Sequence, residues 1–345
     1  MRDSVAEVSA YFGKRAARYQ LAQETCPMAR SLDMIPYIHV MAEAMARLKT
    51  STASVRIFDA FGGAGFLSRS FMHTDISFTI ADCTSAYHPD SCDHHEWLVS
   101  PDYFRSISME RMGQYDLVFA HGGLHHVFEK EDGEVQDEAS LGLQNQCVAN
   151  LARLLRPGGY MVLADIPNNN THPYFEDTRF SAMDPATGVH LFSGARVEYL
   201  QAAAHGFSLP SSLKESCTKI AGEFRDHTHS GSLQRFFTEV IADETPYGHD
   251  ACFVDFPRII AGARSHGLSL AHCVDYPGAW VFRSIEEAIW FFREKFSFGT
   301  SSTPFVIHEE DRVVESAIAD ILGIKSIGNY VAVNWGVTYA VLVRS

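Results

Sequence analysis

The stretch VRIFDAFGGAG, residues 55–65, limits what this chain can fold into more than any other. Its first part, VRIFD at 55–59, is a short apolar run that reads as a buried strand ending in an acid. Gly62, Gly63 and Gly65 then break the strand and permit a tight turn. Residues 66–72 follow as a helix. A helix N-terminus after such a turn offers free backbone N–H groups, and open α/β sheets place ligands at this point. A second strand at 77–81 runs into another acid, Asp82, where a carboxylate accepts both hydroxyls of a ribose.

The alternation continues downstream. WLV at 97–99 reads as a short third strand and YDLVFA at 115–120 as a buried fourth. A helix over about 139–155 carries Leu141, Val148, Leu151 and Leu155 on one side. Pro157-Gly158-Gly159 turns the chain into a fifth strand, YMVLA at 160–164. Strands alternating with helices imply a parallel sheet covered on both faces, with right-handed crossovers. Two helices precede this block, over 3–24 and over 31–49, the second capped by Ser31.

After Pro167 the pattern changes. Residues 168–210 read as irregular, and 211–243 as helical with a break at 227–231. A helix over 253–266 closed by Gly267, a strand at 268–274, and helices at 284–296 and 312–322 follow. Strand-like segments lie in 330–343 around Asn334-Trp335-Gly336. This second half is expected to have its own core.

Charge and composition exclude several classes. The formal charge of −14 argues against nucleic-acid binding, which needs a basic stripe. No stretch reaches the roughly 18 apolar residues of a membrane span. The first residues carry acids and no apolar segment, so no secretory signal is expected. Seven cysteines without a C-x-x-C pair suit reduced thiols in a cytoplasmic protein.

The glycines at 62, 63 and 65 do not give the G-x-G-x-x-G spacing of dinucleotide folds, and position 68 is Ser. The segment instead resembles motif I of class I S-adenosylmethionine-dependent methyltransferases. Asp82, the string YDLVFAHGGLHH at 115–126 and LLRPGGYMVL at 154–163 are similar to further segments of that family, in order and spacing. The departure is Phe61, where the family has its first glycine. The resemblance implies a Rossmann-like, doubly wound, mostly parallel α/β sheet with N-terminal helices and a large, mainly helical insert after the fifth strand. It divides the chain into an N-terminal helical lid at 1–50, a nucleotide-binding core at 51–167, a substrate insert at 168–250, and remaining helices and strands at 251–345.

It also implies S-adenosyl-L-methionine as cofactor. Asp59, Phe61, Gly62, Gly63 and Gly65 would bind it, the backbone at 62–65 passing near its methionine part, and Asp82 would hold its ribose. Asp102, in the loop at 100–103, would meet the adenine, with His121, Gly122 and Gly123 beside the sulfonium. Tyr11 and Tyr19 either cover the ligand or simply pack. His125 and His126 are candidate bases, since an imidazole titrates near neutrality; packing is their alternative. Asn168, Asn169, Asn170 and His172 are candidate substrate contacts, and Arg179, Arg196 and Arg225 candidate partners of an acidic group. His227, His229 and His249, like Asp93-His94-His95-Glu96, lack a familiar metal-ligand spacing, so no metal is expected.

The expected activity is methyl transfer to a small molecule, of a kind found in specialised metabolism and biosynthesis. Two alternatives remain at this point. One is cyclisation of the cofactor's aminobutyryl chain with release of methylthioadenosine; the other is a non-catalytic binding partner with the same fold. A small-molecule substrate, no nucleic acid, no membrane and an open question of homodimerisation complete the expectation.

Overall fold

A computed structural model describes residues 4–30, 33–48, 55–70, 76–88, 95–168, 229–241, 251–276, 279–300, 303–327 and 329–345. Two helices open the chain, α1 (Ser4–Thr25) and α2 (Met34–Leu48). Then come β1 (Arg56–Ala60), α3 (Phe66–Ser70), β2 (Ser77–Asp82), β3 (Glu96–Val99), α4 (Arg105–Glu110) and β4 (Tyr115–His121). A small hairpin, β5 (Lys130–Glu131) and β6 (Glu134–Val135), leads to α5 (Asp137–Leu154) and β7 (Leu155–Asp165). The second half contains α6 (His229–Arg235), α7 (Phe256–Arg264), β8 (Leu268–Tyr276), β9 (Ala279–Phe282) and α8 (Ile285–Phe296). It ends with α9 (Arg312–Ser316), β10 (Ile324–Ile327), β11 (Tyr330–Asn334) and β12 (Val337–Arg344).

Seven strands form one sheet in the order β3-β2-β1-β4-β7-β12-β8. The first five run parallel, and β12 is antiparallel to both β7 and β8. The order reverses between β1 and β4, so the crevice at their carboxyl ends is the topological switch point. Register brings the strand ends together there. Asp59 is aligned with Ile80 and Phe119, and His121 with Ala164.

The period-two alternation of the strands sorts side chains onto two faces. Ile57, Phe78, Leu117, Phe119, Val162 and Val341 pack with Tyr37, Val40 and Met41 of α2 and with the aromatic residues of α8. Phe58, Val118, Met161, Leu163 and Leu342 pack instead with Val148 and Leu151 of α5 and Ile259 and Ile260 of α7. Both faces being covered explains why YDLVFA and YMVLA read as continuous apolar runs.

The structure corrects four readings. The second half has no separate core: Trp280, Trp290, Phe292 and Val333 belong to the same cluster as Ala22, Tyr37 and Phe119. β8 and β12 complete the sheet begun at β1, a pairing that periodicity within the segment does not reveal. The Pro-Gly-Gly segment is no hinge between helix and strand; it lies inside β7 as an irregularity, with Tyr115 paired to Leu155 but Leu117 to Tyr160. Gly159 is needed there because a Cβ would meet the Asp116 carbonyl oxygen at 2.9 Å. The break expected at 227–231 does not extend to Gly231, which lies within α6. In the helix expected over 312–322, residues Ala317–Leu322 are π-helical. Most of the 168–250 segment, including Asn169, Asn170, His172, Arg179, Arg196, Arg225, His227 and His249, lies outside the described residues. No helix among the described residues is long and apolar enough to cross a membrane.

Candidate functional site

A pocket opens at the carboxyl ends of β1, β2, β4 and β7, covered by α1 and by the end of α8. Its first wall is the glycine-rich turn. A Cβ on Gly62 would lie 2.5 Å from the Ile80 side chain, and Gly63 and Gly65 have positive φ. Gly65 lies behind the lining, close-packed against Ser68 and Trp97. Phe61 also has positive φ, +58°, a conformation that costs a non-glycine residue about 1 kcal/mol. Its ring lies edge-on to Phe104 at 5.0 Å. The space it occupies is released by Gly123, where a Cβ would fall 2.1 Å from the ring. The glycine on this facing loop makes room for the phenylalanine ring.

The two acids differ in their bonding. Asp82 accepts the Gly63 N–H at 3.0 Å and the Thr84 N–H at 3.2 Å. Burial raises its pKa, and these backbone donors oppose the rise. Asp59 is 2% exposed, and its Oδ2 has no hydrogen-bond partner among the described residues. Burial pushes Asp59 up to about 8; Arg30 opposes this and Asp82 adds to it. A buried carboxyl oxygen that lines a pocket and lacks a partner calls for a donor on a ligand.

The third wall is the end of β4 and its loop. The Nδ1 of His121 lies 2.6 Å from the Tyr37 hydroxyl, and its Nε2 lies 3.8 Å from Asp33. Burial, with the nearby Arg30, Lys295 and His125, holds the His121 pKa well below the ordinary imidazole value. His125 places Nδ1 2.6 Å from Asp165 Oδ1. Asp165 also accepts N–H groups of Leu124, His125 and Ile166, so the loop and the ring are held by one carboxylate at the end of β7. The Nδ1 contact fixes the orientation of the His125 ring, with Nε2 on its other side. His126 packs edge-on against Phe12 at 4.8 Å and tilted against His125 at 4.0 Å.

Of the residues singled out in the sequence, Tyr19, Asp59, Phe61, Gly62, Gly63, Asp82, His121, Gly122, Gly123, His125 and His126 line this pocket. Asp102 does not. Its Oδ2 accepts the backbone N–H of Ser106 at 3.0 Å and the Ser106 hydroxyl, which ties it to the first turn of α4. Ser100, Tyr103 and Phe104 face the pocket instead. Tyr11 is also outside the lining, its hydroxyl accepting from Arg15. Asn168 is outside it too, its N–H donating to Val254 at 2.9 Å. Of the segment Asp93-His94-His95-Glu96, the first two lie outside the described residues and the last two are not in the lining, and no group able to hold a metal occurs among the described residues. Sequence reasoning missed Asp165, Arg15, Arg30, Lys295 and Trp335. Asp165 alone carried a local signal, an acid at a strand end.

No protein-family model matches the sequence, and no curated protein matches it. Solved structures similar to it include the magnesium protoporphyrin IX methyltransferase of Synechocystis with bound SAH, at 12% identity over 98% of either chain and a TM-score of 0.43. The plantazolicin methyltransferase in complex with SAH is 10% identical over 99% of this chain and 97% of its own, with a TM-score of 0.42. The 4+2 cyclase SpnF is 10% identical over 89% of this chain and 80% of its own, with a TM-score of 0.40. Likenesses at this level say nothing of activity. Strand order, register and the pocket at the reversal of that order make this chain a Rossmann-like α/β protein.

Proposed function

We propose that the chain is an S-adenosylmethionine-dependent methyltransferase acting on a small molecule. The observation that carries this reading is the pair of buried carboxylates, Asp59 and Asp82, on either side of a close-packed glycine turn. Asp82 has the placement to take the ribose hydroxyls. The unpartnered oxygen of Asp59 suits an ammonium donor, and S-adenosylmethionine carries one on its amino-acid part. Ser100 and Phe104 suit an adenine ring. When bound, the cofactor would supply a methyl group on a sulfonium leaving group.

The protein's own part is to position the acceptor, exclude water and receive a proton. His125, oriented by Asp165, is the base of this reading, and His126 with Phe12 forms the wall beside it. The concave, aromatic lining suits a small molecule. Residues 168–250 stand in this reading as the rest of the acceptor site. Incubation with S-adenosylmethionine and candidate acceptors, with product analysis, tests it. Release of S-adenosylhomocysteine is expected; release of methylthioadenosine would mean cyclisation of the cofactor instead.

A further inference from the structure

Three cationic side chains are buried along the pocket: Arg15, Arg30 and Lys295, at 3%, 6% and 7% exposure. Their counter-charges are unequal. Arg30 pairs with Asp33 at 3.0 Å, and Asp33 also accepts the Trp280 indole N–H at 3.2 Å. Arg15 and Lys295 make no ion pair among the described residues. The Arg15 guanidinium donates to the Tyr11 hydroxyl and to the Lys295 carbonyl oxygen, and its Nε has no partner. The Lys295 ammonium lies 4.0 Å from the centre of the Tyr19 ring and 5.0 Å from that of Trp280. The adjacent acid, Glu294, is committed to Arg18 at 2.8 Å and Arg293 at 3.4 Å.

Ring faces attract a cation but do not neutralise it. Burying a charge without a counter-ion is costly, and proteins retain such groups where a ligand brings the opposite charge. Burial, together with repulsion from Arg30 and Arg15, lowers the Lys295 pKa well below the ordinary lysine value; Asp33, already paired with Arg30, opposes this less strongly, and an anion beside Lys295 relieves the repulsion. The side of the pocket also matters. Arg30 is the cation that acts on Asp59, toward the nucleotide end. Arg15 and Lys295 come from α1 and the end of α8, beside Phe296, Trp280 and Trp335, with the last two stacked at 3.7 Å.

We infer that Arg15 and Lys295 form a carboxylate subsite for the acceptor, whose apolar or aromatic body lies against Tyr19, Trp280 and Phe296. The acceptor is therefore an organic acid, and this rests on the methyltransferase reading above. The test uses protein saturated with S-adenosylhomocysteine and calorimetric titration with 3-phenylpropionate and benzoate, each against its amide. The acids are expected to bind at least about tenfold more tightly than the amides, as a charge-assisted contact requires. In Arg15→Gln and Lys295→Met that preference is lost while S-adenosylhomocysteine affinity is unchanged. Equal binding of acid and amide by the wild type, which needs no variant to fold, overturns the inference. So does a preference that survives both substitutions. Displacement of S-adenosylhomocysteine by the acids, or its weakened binding in the variants, would assign the subsite to the cofactor's own carboxylate and likewise overturn it. Failure of S-adenosylhomocysteine to bind the wild type at all would refute the methyltransferase reading itself, a distinct result.

Discussion

Phe61 holds a backbone conformation suited to glycine, and Gly123 vacates the volume its ring fills. The two positions are therefore coupled. Gly123→Ala is expected to destabilise the fold by about 1–3 kcal/mol through overpacking. In Phe61→Gly the same alanine should cost far less, and urea unfolding of the four proteins in a double-mutant cycle reads the coupling. Asp59 makes a prediction about pH. Its folded pKa, about 8, lies above its unfolded value near 3.8. Between those values the folded state holds more protons than the unfolded state, so this group's contribution to stability falls as pH rises from about 4 to about 8. Asp59→Asn should remove that slope. The difference in urea midpoint between variant and wild type should move in the variant's favour from pH 5 to pH 8. Asp165→Asn keeps the shape but removes the charge that orients His125. We expect the transfer rate to fall about a hundredfold, with altered pH dependence and unchanged S-adenosylhomocysteine affinity.

At the scale of elements, α1 owes its position to the end of α8. Arg18 donates to Glu294 at 2.8 Å and to the carbonyl oxygens of Gly299 and Phe298, both at 2.9 Å. These carbonyls would otherwise be orphaned beyond the helix end. Arg18→Met should therefore loosen α1, measured as faster hydrogen exchange in residues 4–25, while amides of β4 and β7 keep their protection. Unchanged exchange in α1 would mean that apolar packing alone seats it. The elements most legible in the sequence were those with strong local signals. Apolar runs located β1, β2, β4 and β7, and the acids ending β1 and β2 could be placed because parallel register aligns strand ends. Asp102 misled because its carboxylate is used locally, accepting from the Ser106 N–H and hydroxyl in the first turn of α4.

For the whole molecule, the remaining site residues were illegible for a different reason. Arg15, Arg30, Trp280, Lys295 and Trp335 are scattered through the chain and meet only because β8 and β12 close the sheet and α8 packs back onto α1. No local pattern encodes a meeting of that kind. The nucleotide end of the pocket is built from one continuous block of sequence. The far end is assembled by tertiary packing, and the proposed carboxylate subsite lies there. Calorimetric titration of the wild type and Asp82→Ala with S-adenosylhomocysteine asks whether the glycine-turn end of the pocket binds S-adenosylmethionine. Saturable binding at one site per chain, weakened at least about tenfold by the loss of charged hydrogen bonds in the variant, is the predicted result. No binding by the wild type, or equal binding by both proteins, would contradict it.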